Sequence, residues 1–140
     1  MADPVEERLR RAAPAAFEGS GVVFAYLFGS RATGHARPDS DVDVAVYLDP
    51  PPEDPLAAAL ALAGRLEERS GVGGIEVVVM NAAPLPLLGR ILRERIVIFS
   101  RDEPARVAFE SLTFREFQDF DLHARELDRE LLRRHAEGRR

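Results

Sequence analysis

Between Leu27 and Leu48 the chain reads LFGSRATGHARPDSDVDVAVYL, and few backbones can satisfy that order of residues. An apolar run, Val22 to Phe28, has the composition of a buried strand and stops at Gly29-Ser30. A polar turn punctuated by Gly34 and Pro38 follows, and Asp41-Val42-Asp43-Val44-Ala45-Val46 resumes as a strand. Side chains alternate along a strand, so Asp41 and Asp43 project from one face. Their Cα atoms would lie roughly 6.6 Å apart, close enough for both to reach one divalent metal site. Gly29 lets the backbone approach a ligand without a Cβ in the way. Ser30 offers a hydroxyl and an amide at the start of a short helical turn, where anions bind well. A phosphate cradle facing a pair of metal-binding carboxylates is equipment for moving a nucleotidyl group.

With 140 residues the chain is the size of one domain and can bury a core without staples. It has no Cys, which excludes disulfides, zinc thiolates and thiol nucleophiles. The N-terminal MADPVEERLRR lacks the apolar core of a signal peptide, and no run approaches the ~20 apolar residues of a membrane span. A cytoplasmic protein with no membrane partner is expected. The net charge of −5 argues against a long polynucleotide as the main partner. All 19 positive residues are Arg, a bias that fits a GC-rich or thermophilic genome.

Asp3 and Pro4 form an N-cap and first-turn pair for a helix over Pro4 to Phe17, with Pro14 a point of interruption. Strands are expected at Val22–Phe28, Val42–Leu48, Ile75–Met80 and Arg95–Phe99, and helices at Pro55–Arg69 and Pro84–Glu94. A long helical tail spans Glu103 to Ala136. Strands alternating with helices argue an α/β (α+β) layering of about four strands. Tyr47 reads as packing, and Arg93-Glu94-Arg95 and Arg133-Arg134 as solvated helix faces. Phe109, Phe114, Phe117 and Phe120 are more than one helix face can hide, and either pack on the sheet or form a patch that meets a partner.

Gly29-Ser30, ten residues, then Asp41-x-Asp43 resembles the motif of the polymerase-beta-like nucleotidyltransferase superfamily. The wording LFGSRA…PDSDVDVAV is most similar to its minimal members, the MNT-domain antitoxins that pair with HEPN-domain ribonuclease toxins. The resemblance covers residues 20–100 well. It implies a mixed sheet with helices on one face, followed by a long C-terminal helix. It implies that Asp41 and Asp43 hold Mg²⁺, two ions in such sites, together with ATP. It also implies a third carboxylate on a neighbouring strand, and Glu76, the one charge in Ile75-Glu76-Val77-Val78-Val79, occupies that position. Relatives more often carry Asp there. Gly29 and Ser30 then cradle the triphosphate, and Arg31 stands near its β- and γ-phosphates. His35 and Arg37 read as turn residues, with Asp39 and Ser40 shaping the loop.

The activity so implied is transfer of AMP from ATP to a hydroxyl, a tyrosine of a HEPN toxin, which is thereby silenced. One alternative is an antitoxin that masks its partner by contact, through the Phe-rich tail. Another is a small-molecule nucleotidyltransferase of the aminoglycoside-modifying kind, although no second domain is present to build an acceptor pocket. The expectation is an acceptor presented by another protein in a hetero-oligomer, or a homo-oligomer of this chain that builds the site.

Overall fold

The computed structural model describes residues 4–138. The elements run α1 (Pro4–Ala16), β1 (Val22–Phe28), α2 (Ser30–Thr33), β2 (Val42–Leu48), α3 (Pro55–Ser70), β3 (Ile75–Val79), α4 (Leu85–Glu94), β4 (Ile96–Ser100) and α5 (Glu103–Gly138). The Asp3 cap expected before α1 lies outside the described residues. Pro14 does not interrupt α1. A proline removes one i→i−4 hydrogen bond, here on the exposed side of the helix where the Arg10 carbonyl can face water. The third strand ends at Val79, and Met80–Ala82 forms a 3₁₀ turn whose Asn81 side chain bonds both the amide and the carbonyl of Leu48.

The four strands lie in the order β3-β2-β1-β4. β1 pairs antiparallel with β2 and β4, while β2 and β3 run parallel, with α3 as their crossover. Every residue of β1 is buried, so both faces of the sheet must be covered. On one face Leu9, Ala13 and Ala16 of α1 and Leu62, Ala63 and Leu66 of α3 pack against Ala25, Leu27, Val44 and Val46. On the other, Ile91 and Leu92 of α4 and Phe109 and Phe114 of α5 pack against Phe24, Tyr26, Phe28 and Ala45. Helices therefore cover both faces rather than one, because the central strands alternate apolar with apolar. Asp43, of opposite parity to Val42 and Val44, belongs to the α4/α5 face.

α5 is anchored by a buried charge cluster. Glu110 is 8% exposed and accepts a hydrogen bond from the Tyr26 hydroxyl at 2.7 Å. It also accepts from Arg95 at 3.1 Å and from Arg106 at 2.7 Å. Burial pushes the Glu110 carboxyl up, but the Tyr26 and Arg106 hydrogen bonds and the charge of Arg95 outweigh it and hold the group below the usual range. Tyr26 is pushed well above its ordinary value, first by burial and then by Glu110. Arg95, expected on a solvated face, is thus half-buried and paired with Glu110.

Three of the four clustered phenylalanines point inward. Phe109 and Phe114 join the core, and a Cβ placed on Gly89 would overlap the Phe117 ring. Phe120 is 48% exposed. Tyr47 stacks on Phe24 with centroids 5.1 Å apart, which is a packing role.

Glu110→Gln should destabilise the fold by about 2 kcal/mol at neutral pH, since charged hydrogen bonds to a buried group contribute on that scale. The carboxyl is depressed in the folded state, so its contribution is present above its unfolded value and is lost as pH falls through the folded one. Urea unfolding at pH 7 and pH 3 should show the difference between the two proteins shrinking at the lower pH.

Candidate active site

At one end of the sheet β1 stops and the chain turns through Gly29. Here φ is 76° and ψ is −158°, a region only glycine occupies readily. The Gly29 carbonyl accepts the amides of Ala32 and Thr33, which starts the single turn of α2. Gly29 is thus the N-cap, and Ser30 is the first helical residue rather than the cap. A Cβ on Gly29 would overlap Asp43 Oδ2 and lie 3.2 Å from Asp43 Cγ. The glycine expected to admit a ligand closely therefore first admits the carboxylate of Asp43.

The loop from Gly34 to Ser40 is tied off by its own backbone. Ser40 Oγ accepts the Arg37 amide at 2.7 Å, and the Ser40 amide donates to the Arg37 carbonyl. Arg31 reaches the carbonyls of Pro38 and Ser40 at 3.4 and 3.2 Å, so its guanidinium braces this loop. Its Nε is buried with no partner among the described residues. His35 touches Thr33 in the turn.

Asp41 is exposed and precedes β2 instead of lying in it, while Asp43 is half-buried on the strand. The register sets Asp43 between Phe28 on β1 and Glu76 on β3. Neighbouring strands lie ~4.8 Å apart, so Asp43 and Glu76 stand side by side on one face. Glu76 is exposed on an edge strand. Among the described residues no three acidic, His or Cys side chains converge tightly enough to hold a metal ion by themselves. Burial raises the Asp43 carboxyl above its usual range; the nearby Arg90 opposes this, and the like charges of Asp41 and Glu94 add to it. A half-buried carboxylate among like charges is a hard oxygen donor that a divalent cation would stabilise, so the residues suit Mg²⁺.

Two residues not expected from the sequence complete the surroundings. Glu94, in the last turn of α4, accepts the Gly29 amide through Oε1 at 3.0 Å. Arg90, one turn earlier, lies 3.4 Å from the same oxygen and sits over the Phe28 ring at 5.8 Å. The available signal was an acid at a helix C-terminus, where the backbone dipole favours cations.

The family model described as "Polymerase beta, Nucleotidyltransferase" matches residues 15–104. The chain belongs to this nucleotidyltransferase family. No curated protein matches it significantly. Among solved structures, a minimal nucleotidyltransferase is 32% identical over 62% of this chain and 86% of its own, with a TM-score of 0.51. A chain of a toxin–antitoxin complex with AMP-PNP is 17% identical, covers 88% of this chain and 98% of its own, and has a TM-score of 0.71. A chain from the complex of a tri-AMPylated Shewanella oneidensis HEPN toxin with its MNT antitoxin is 15% identical. It covers 91% of this chain and 98% of its own, with a TM-score of 0.67. The last two likenesses establish a shared fold across most of the chain. No helix among the described residues is long and apolar enough to cross a membrane.

The raised Asp43 carboxyl means that the folded state disfavours its charged form. That penalty is absent below the unfolded value and grows as pH rises through the folded one. Asp43→Asn should therefore melt at a higher temperature than the unmodified chain at pH 7, and the two should converge towards pH 3.5 in a calorimetric pH series. Gly29→Ala should lower the melting temperature, since it combines a disfavoured φ with overlap on Asp43.

Proposed function

We propose that the chain is a Mg²⁺-dependent protein adenylyltransferase that moves AMP from ATP to a tyrosine hydroxyl of a HEPN-domain toxin and so acts as its antitoxin. The observation that carries this reading is the close seating of Asp43 against Gly29 with Glu76 beside it, in a chain of the nucleotidyltransferase family. The likeness to a chain from a complex holding an AMPylated HEPN toxin supports the choice of acceptor.

In the proposed reaction the acceptor oxygen bonds to the α-phosphorus of ATP. The bond from that phosphorus to the bridging oxygen breaks, pyrophosphate leaves, and the hydroxyl proton passes to solvent or a neighbouring carboxylate. Asp41 and Asp43 would hold Mg²⁺, with Glu76 the further carboxylate beside them. Bound Mg²⁺ supplies positive charge for the oxygens that gain negative charge during transfer. Magnesium commonly takes one or two carboxylates and completes its shell with substrate phosphates and water. That habit fits carboxylates that do not by themselves form a complete set of ligands among the described residues. Ser30, at the start of α2, would help hold the triphosphate, and Arg31 secures the loop that leads to Asp41. The placement is cytoplasmic, where ATP and a ribonuclease toxin would meet.

A second reading, neutralisation by contact, is favoured by the far half of α5. Phe120, Leu127 and Leu131 are 48%, 50% and 60% exposed at helical spacing, and a partner could cover them.

The two readings separate by intact-mass spectrometry of the partner that co-purifies with the chain, before and after Mg·ATP. Gain of whole AMP units with the unmodified chain, and at least 100-fold slower gain with Asp43→Ala, is the expected result. An unmodified partner in a stable complex that Leu127→Asp disrupts would replace catalysis with binding.

A further inference from the structure

Gly29 sits in a backbone conformation that persists only where its surroundings hold it there. Its carbonyl is held by α2, and its Cα rests on the Asp43 carboxylate. Its amide is held from outside the motif, by the Glu94 side chain at the end of α4. That side chain is only 25% exposed and is paired with Arg90, which also lies close to Asp43. A carboxylate at a helix C-terminus is electrostatically disfavoured by the backbone dipole. Its hydrogen bond to Gly29 and its ion pair with Arg90 are what hold it there.

We propose that Glu94 is a positioning residue for nucleotide binding: it pins the Gly29 amide, and through Gly29 it fixes the Ser30 turn relative to Asp43. The inference rests on the nucleotidyltransferase reading and deepens it by assigning a residue outside the Gly-Ser and Asp-x-Asp motifs. It acts from α4 by hydrogen bonding, with no contact to phosphate required. The same geometry permits an opposite effect, in which the Glu94 carboxylate holds the place of a ligand anion and has to leave before nucleotide binds. The two differ in the sign of one measurement.

The experiment uses the full chain, with Mg·AMP-PNP as the probe. Affinity is measured by isothermal titration calorimetry, and Gly29 amide exchange by NMR on the free protein. Glu94→Ala should weaken binding about tenfold or more, the scale of a lost charge-assisted hydrogen bond, and should speed exchange at Gly29. Glu94→Gln keeps a carbonyl acceptor and should restore both to within about threefold of the unmodified chain. Unchanged or tighter binding by Glu94→Ala overturns the proposal, and so does Glu94→Gln binding as weakly as Glu94→Ala. An unaltered Gly29 exchange rate in Glu94→Ala overturns it whatever the affinities. Absence of binding by the unmodified chain would instead overturn the nucleotide reading, while the exchange data would still judge the hydrogen bond.

Discussion

The approach of the Gly29 Cα to the Asp43 carboxylate governs how this end of the molecule is built. A side chain of any size at position 29 would push Asp43 off β2 or force the β1 turn outward. With glycine there, the end of one strand, the start of the next and the single turn of α2 close around one carboxylate. The cost is that burial, and after it the like charges of Asp41 and Glu94, raise the Asp43 carboxyl, with Arg90 opposing them. Functional carboxylates are often kept in surroundings that disfavour their charge, because a cation then binds with more to gain.

A second charged cluster lies on the same face of the sheet, and it is built on the opposite principle. Around Glu110 two cations and the Tyr26 hydroxyl converge on one carboxylate, and Arg106 also pairs with Glu103. That cluster fixes α5 to β1 and to Arg95, between α4 and β4. One face thus carries two charge clusters, one in which cations surround the acid and one that leaves negative charge unbalanced, and the proposed function assigns the ligand to the second.

Much of this was legible in the sequence where the determinants are local. The bounds of β2 follow from its apolar alternation, and the Gly-Ser turn and Asp43 follow from spacing. Asp41 was placed on the strand because alternation continues through it, yet ladder pairing begins only at Val42. Glu94 could not be found that way, since its partner is 65 residues distant and its neighbours Arg93 and Arg95 suggest a solvated face. Arg95 was misread for the same reason, its acid being 15 residues along a different helix. Helices on both faces rather than one could have been inferred from β1, where Phe24, Tyr26 and Phe28 alternate with Ala25 and Leu27.

The hydrogen bond from the Gly29 amide to Glu94 joins the first hairpin to the element before the last strand. A chain still emerging from synthesis can build β1, the turn and β2 well before α4 exists. The Gly29 amide acquires its side-chain partner only after α4 docks across the Phe28 end of the sheet. Nucleotide affinity in this chain would therefore report completed folding, and a ligand that binds only the finished arrangement shifts the folding equilibrium towards it by mass action.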